Sequence, residues 1–331
     1  MNVESIQRFN HILQSFNIKA SCVDYQSVDH YSFYDLKLNP YAKVKDIQKY
    51  GNEISLALQA PCKPSIRVFH DRGVVRVEFI APRVEPLKLF DYFTNDSIPE
   101  MELPCLLGQT VEGKRMWMDL AKNPHLLIAG TTGSGKSTLM HNIIANLLNY
   151  NNVHMFLVDP KSIEFHKYDG HLKSSQVFYS YDDTIDMLNA CLEEMESRYS
   201  LLRGGKPISH FQHIVIIIDE FADLSLQDQD ERFYIALCRL AQKCRAARMH
   251  IILGTQRPSV NIINGAIKAN FPARIACRVA THVDSKVILD ASGAENLLGK
   301  GDALVRDNLR FMERFQVAYT TASEVCQYYG V

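Results

Sequence analysis

The chain has 331 residues, 47% hydrophobic and 22% charged, with 36 Lys/Arg against 37 Asp/Glu. This mixture excludes a disordered or fibrous chain and gives material for about two domains. The apolar runs, such as Ile214 to Ile218, fall far short of the ~20 residues of a membrane span, Met1 to Asn10 lacks the apolar core of a signal peptide, and eight cysteines without a C-x-x-C pair predict reduced thiols in a cytoplasmic protein.

The first predicted element is a helix, because Val3, Ile6, Phe9, Ile12, Leu13 and Phe16 recur at helical spacing. Tyr31 to Leu38 alternates, with Tyr31, Phe33, Asp35 and Lys37 on one parity, and predicts a strand. Val44 to Leu58 returns to helical spacing. Ser65 to Phe69 and Val74 to Ile80 predict two strands around the Asp71-Arg72-Gly73 turn. Residues 1–110 thus form a small α+β domain without a chemical motif. Pro82, Pro86, Pro99 and Pro104 dot the passage to the second domain, 111–331.

In that domain short apolar runs alternate with helical segments. The runs are Leu126 to Ala129, Val153 to Val158, Ile214 to Ile218 and Ile251 to Leu253. Such alternation predicts an α/β fold with a mainly parallel sheet.

The first run leads into Gly130-Thr131-Thr132-Gly133-Ser134-Gly135-Lys136-Ser137, and a helical pattern follows from Thr138. This is the G-x-x-x-x-G-K-S phosphate loop in its strand–loop–helix setting. Its glycines let backbone N–H groups form a nest for phosphate oxygens, and the following helix points its positive end at them. Lys136 can reach the β- and γ-phosphates of ATP, and Ser137 can ligate Mg²⁺. The run from His213 to Ile218 ends at Asp219-Glu220. At a parallel strand end, Asp219 would hold Mg²⁺ and Glu220 would polarise the attacking water. The run Ile251 to Leu253 ends near Gln256, which could sense the γ-phosphate; an ordinary exit into a turn, favoured by Pro258, explains the same residues equally well.

Charge is unevenly distributed. Asp182 to Glu231 holds twelve acids and three Lys/Arg, whereas Arg232 to Lys286 holds ten Lys/Arg and one acid, Asp284. Local charge, not the net −1, governs phosphate binding. Two solvated faces of opposite sign are the plainer reading.

Six ordered stretches resemble the motor of the FtsK/SpoIIIE DNA translocases: HLLIAGTTGSGK (His125 to Lys136), VDPK (Val158 to Lys161), IDEFADL (Ile218 to Leu224), LAQKCRAA (Leu240 to Ala247), GTQRPSV (Gly254 to Val260) and LLGKGD (Leu297 to Asp302). The resemblance implies a RecA-like P-loop ATPase preceded by the family's small α+β subdomain, assembled as a hexameric ring that pumps double-stranded DNA. It places nucleotide binding at Gly130 to Thr138, metal binding at Ser137 and Asp219, and catalysis at Lys136, Asp219, Glu220 and Gln256. It assigns Arg245 to the neighbouring subunit's site, with Arg239 and Arg248 as rivals, and it places channel cations at Arg257, Lys268, His282 and Lys286.

The chain departs from the family in several ways. It carries no membrane segment before the motor and no winged-helix domain after it, which implies a minimal soluble relative or an excised motor with an unknown membrane or mobile-element partner. His282 stands for a usual lysine, Arg248 for a usual glycine, and the stretch from Arg203 to Gln212 is short. A related ring ATPase that moves protein is the alternative; a scaffold has no need of Lys136, Asp219 and Glu220 together.

Overall fold

The computed structural model describes residues 2–28, 31–60, 63–80, 87–93, 98–172, 174–307 and 312–330. Met1, Pro82, Pro86 and Val331 therefore lie outside the described residues. The chain forms two compact units: Met1–Pro86 with Gln109–Lys114 and Asn296–Leu298, and Leu87–Gly108 with Arg115–Glu295 and Gly299–Val331.

The smaller unit contains α1 (Asn2–Ser15), β1 (Ala20–Val28), β2 (Tyr31–Leu38), α2 (Val44–Lys49), α3 (Gly51–Leu58), β3 (Ser65–Phe69) and β4 (Val74–Ile80), with the strands in the order β1-β2-β4-β3. The helical period of the N-terminus sets Phe9, Ile12 and Leu13 against Tyr34, Leu36, Val75 and Val77, and Phe9 stacks on Tyr34 at 4.3 Å between ring centroids. The other parity of β2 is buried too. There Tyr31 and Phe33 pack with Val111, and the Arg76 guanidinium lies 3.8 Å from the Phe33 ring centre. Arg76 binds both Asp35 oxygens, at 2.7 and 2.9 Å, and also reaches Glu112. A fork-shaped donor matched by a carboxylate is how a charge tolerates burial. Tyr50 divides the segment from Val44 to Leu58 into two short helices. Strand β1 had no sequence signal: its Ser21, Asp24, Gln26 and Ser27 sit at the sheet edge, paired antiparallel to β2.

The larger unit follows the order β5 (Pro104–Thr110), β6 (Arg115–Asp119), β7 (His125–Ala129), α4 (Lys136–Leu147), β8 (Val153–Val158), β9 (Ser175–Phe178), α5 (Tyr181–Arg203), β10 (His213–Ile218), α6 (Phe221–Gln227), α7 (Arg232–Lys243), β11 (Met249–Thr255), α8 (Gly265–Asn270), β12 (Ala273–Cys277), α9 (His282–Leu289), β13 (Asp302–Arg306), β14 (Met312–Val317) and α10 (Ala322–Tyr329). The strand order is β6-β5-β14-β13-β12-β7-β11-β10-β8-β9. From β12 to β9 each neighbour is parallel, as the alternating pattern requires, whereas β12, β13 and β14 pair antiparallel. The four expected apolar runs are β7, β8, β10 and β11. Strands β13 and β14 escaped the pattern because a charge pair interrupts them: Arg314 donates to both Asp302 oxygens at 2.9 and 2.8 Å, and both residues are fully buried.

Candidate active site

The four apolar strands are adjacent in the order β7-β11-β10-β8, and being parallel they end along one edge. Register aligns Ala129 with Thr255, Leu253 with Ile218, and Ile218 with Val158. The phosphate loop, Gln256, Asp219-Glu220 and Asp159 therefore emerge side by side, in the crevice where parallel α/β sheets hold ligands.

Gly130 to Gly135 turns from β7 into α4, which opens at Lys136. Gly135 has φ +107°, and a Cβ there would stand 2.5 Å from the Gly301 nitrogen. Two backbone bonds seat the Lys300-Gly301 turn on the loop, from Lys300 N to Gly133 O at 3.2 Å and from Gly301 N to Ser134 O at 2.9 Å. This gives the LLGKGD stretch a physical role that the sequence did not disclose. Thr131 N adds a bond to Arg278 O at 2.9 Å.

Lys136 is 3% exposed and Asp219 1%. The Lys136 ammonium donates to Asp219 O at 2.9 Å and pairs with the Asp219 carboxylate. An ammonium has three protons, so one remains for a phosphate oxygen. Glu220 is fully buried, and both its oxygens are held: Thr255 Oγ1 donates to one at 2.6 Å and Gln256 N to the other at 2.8 Å. Lys161 Nζ lies 3.7 Å from Glu220 and 3.2 Å from Asp223. The Gln256 side chain accepts from Thr132 Oγ1 of the phosphate loop at 2.9 Å.

Sequence reasoning missed Glu164. The Ser137 hydroxyl donates to Glu164 Oε1 at 2.7 Å, and His141 Nε2 stands 3.4 Å from Glu164 Oε2. Hydrogen bonding from His141, joined by that from Ser137, outweighs desolvation and holds the Glu164 carboxyl at about 2. Asp159, also missed, fixes this segment by accepting from the backbone N–H of Glu164 and of Phe165 at 2.9 Å each. No local signal marks these pairings, since 27 residues separate Ser137 from Glu164.

Other expected residues lie elsewhere. Arg245 is exposed in the short turn Cys244–Ala247 before β11, so the seven-residue strand separates it from its own chain's phosphate loop. It lines a groove of about 820 Å³ with Lys122, Tyr199, Lys243, His213 and His250. Arg239 is exposed on α7. Arg248 is occupied, pairing with Glu102 and donating to Phe211 O at 3.1 Å. Its φ of +57° explains why glycine suits this position. Arg257 is exposed beside Gln256. His282 and Lys286 are exposed one turn apart on α9. Lys268 pairs with Asp290 at 2.8 Å and reaches Lys286 O at 3.5 Å. Asp290 also binds Arg274 and Arg306, so part of the basic segment is neutralised within the fold.

The FtsK/SpoIIIE family model matches residues 95–207 and 204–260. The DNA translocase FtsK of Haemophilus influenzae is 34% identical over 346 residues, covering 91% of this chain and 65% of the relative. That of Borreliella burgdorferi is 34% identical over 349 residues, covering 97% of this chain and 44% of the relative. The chain thus spans less than two thirds of the length of either. Two solved structures share the fold. The pCW3 conjugation coupling protein TcpA, in a monomer form with ATPγS, superposes with TM-score 0.67 at 22% identity, over 98% of this chain and 99% of that one. The cytoplasmic domain of the Thermomonospora curvata type VII secretion ATPase EccC superposes with TM-score 0.61 at 19% identity, over 73% of this chain and 34% of that one. From the family-model match, the length of these alignments and the phosphate loop set beside its two acids, the chain belongs to the FtsK/SpoIIIE family.

Proposed function

We propose that this chain is the motor of an ATP-driven translocase that moves double-stranded DNA through a hexameric ring. The observation that carries the reading is the meeting of Lys136, Asp219 and Glu220 at adjacent strand ends in a member of a family whose named relatives are DNA translocases.

The residues fit ATP with Mg²⁺. The seat offers a loop able to present N–H groups, a buried ammonium, a hydroxyl and a carboxylate, and hard oxygen donors suit Mg²⁺. Ser137 and Asp219 would hold the metal, which when bound neutralises phosphate charge. Lys136 binds and orients phosphate oxygens. Glu220, aligned by Thr255 and Gln256, orients the attacking water; Gln256, tied to Thr132, registers the γ-phosphate. Arg245, exposed and remote from its own phosphate loop, would act on a neighbour's site in trans. Arg257, His282 and Lys286 would touch DNA phosphates, which positions the duplex without reading its sequence.

The test is ATP hydrolysis with and without long double-stranded DNA across a range of salt. DNA stimulates turnover, and stimulation fades as salt rises because the grip is on phosphates. Lys136→Ala abolishes nucleotide binding, whereas Glu220→Gln binds ATP and stalls. Wild-type rates in both variants would refute the site. Turnover indifferent to DNA at low salt would favour a protein-moving ATPase.

A further inference from the structure

We propose that Glu164 is a positioning residue for the metal that accompanies the nucleotide: it holds the Ser137 hydroxyl by its proton and turns the oxygen's lone pairs toward the metal. The inference rests on the nucleotide reading above.

A serine hydroxyl has one proton and two lone pairs. Here the proton goes to Glu164 Oε1 at 2.7 Å. It does not go to Asp219, whose carboxylate is engaged by Lys136. A hydroxyl donating to a carboxylate makes a strong, charge-assisted bond. That bond fixes the rotor and makes the oxygen a better ligand, as partners behind metal ligands generally do.

Glu164 is itself held at both carboxylate oxygens and through its backbone. Ser137 and His141 are one turn apart on α4, hence on one face, and the two carboxylate oxygens span them, with His141 Nε2 at 3.4 Å. Behind His141, Nδ1 meets the hydroxyl of fully buried Tyr168 at 2.9 Å. A Tyr168 O–H donated to Nδ1 leaves the imidazole proton on Nε2, facing Glu164. The Glu164 backbone is anchored by buried Asp159. The VDPK stretch at the end of β8 thereby aims a carboxylate at the phosphate loop.

The test separates metal from nucleotide. Binding of a fluorescent ATP analogue is measured in EDTA and across a Mg²⁺ titration for wild type, Glu164→Gln, Ser137→Ala and the double variant, with melting temperatures alongside. Glu164→Gln keeps shape and an acceptor oxygen but not charge. It raises the half-saturating Mg²⁺ concentration about 10-fold and leaves EDTA affinity near wild type, while the melting temperature falls with the lost His141 and Ser137 bonds but stays above the assay temperature. On the Ser137→Ala background it adds less than about 2-fold, because both changes remove one interaction. An equal loss of affinity in EDTA and in Mg²⁺ would make Glu164 merely a loop tether and overturn the proposal. So would full additivity with Ser137→Ala. A wild type with clear Mg²⁺ dependence that Glu164→Gln leaves unmoved overturns the proposal alone. A wild type that binds no nucleotide at any Mg²⁺ concentration overturns the nucleotide reading and the proposal with it.

Discussion

The side chains at the two ends of the parallel strands obey opposite rules. At the carboxyl ends, Asp219 and Glu220 are buried charges, and each is matched by donors: Lys136 for one, Thr255 and Gln256 for the other. At the amino ends, His125, His213 and His250 are buried, and the carboxylate near them, Glu102 at 3.7 Å from His213 Nε2, is half exposed and also paired with Arg248. His213 Nδ1 and His250 Nε2 share one hydrogen bond at 2.9 Å. Burial lowers His125 to about 4 and His250 to about 3, and depresses His213 as well. An unfolded histidine titrates near 6.5, so between that value and the folded ones the unfolded chain binds more protons. Stability from these histidines is therefore complete above about pH 6.5 and falls as pH drops, by up to about 1.4 kcal/mol per pH unit for each. The Glu164 contribution is lost only lower, as pH falls from its ordinary carboxyl range toward about 2. Urea unfolding between pH 4.5 and 6.5 thus isolates the histidines, and His250→Asn flattens the slope there. An unchanged slope would mean that His250 is protonated within the fold.

Among the elements, β11 is held from both sides. It lies between β7 and β10 and is buried at each of its seven residues. At Gly254 a Cβ would stand 2.3 Å from Asp219 O and 2.2 Å from Met140 Cε. Asp219 O is also an acceptor for Lys136, so strand packing and phosphate-site geometry meet at one atom. Gly254→Ala is expected to cost at least the ~1–3 kcal/mol of core overpacking and to weaken nucleotide binding. Gly205→Ala is the control: at φ +86° with open space around it, it costs only the ~1–2 kcal/mol of a left-handed residue and spares binding. Thermal melts with and without nucleotide check both. Equal nucleotide-induced shifts in the two variants would separate β11 packing from the site.

At the scale of the whole molecule, the basic positions divide by how the fold uses them. Lys286 is exposed, whereas Lys268 is paired with Asp290 in a cluster that also holds Arg274 and Arg306. Lys286→Ala should reduce DNA stimulation of ATP turnover, lessen its salt dependence and leave the melting temperature unchanged. Lys268→Ala should instead lower the melting temperature, because it loosens the anchorage of α8 to the end of α9. Stimulation unaffected by Lys286→Ala would take this cation out of the DNA contacts. None of the described helices is long and apolar enough to cross a membrane.

The phosphate loop, the acids closing β10 and the parallel core are legible in neighbouring residues: glycines at fixed offsets, or an apolar run ending in charge. Also legible in the sequence are α1, β2 to β4, and the family. Which distant groups complete the site emerges once the chain is folded. Glu164, Thr255 and the Lys300-Gly301 turn reach it across 27 to more than 160 residues of chain, where periodicity carries no information. Strands β1, β13 and β14 were hidden for a related reason. An edge strand needs no apolar alternation, and a buried Asp302–Arg314 pair replaces apolar burial with a match visible only once the strands are side by side.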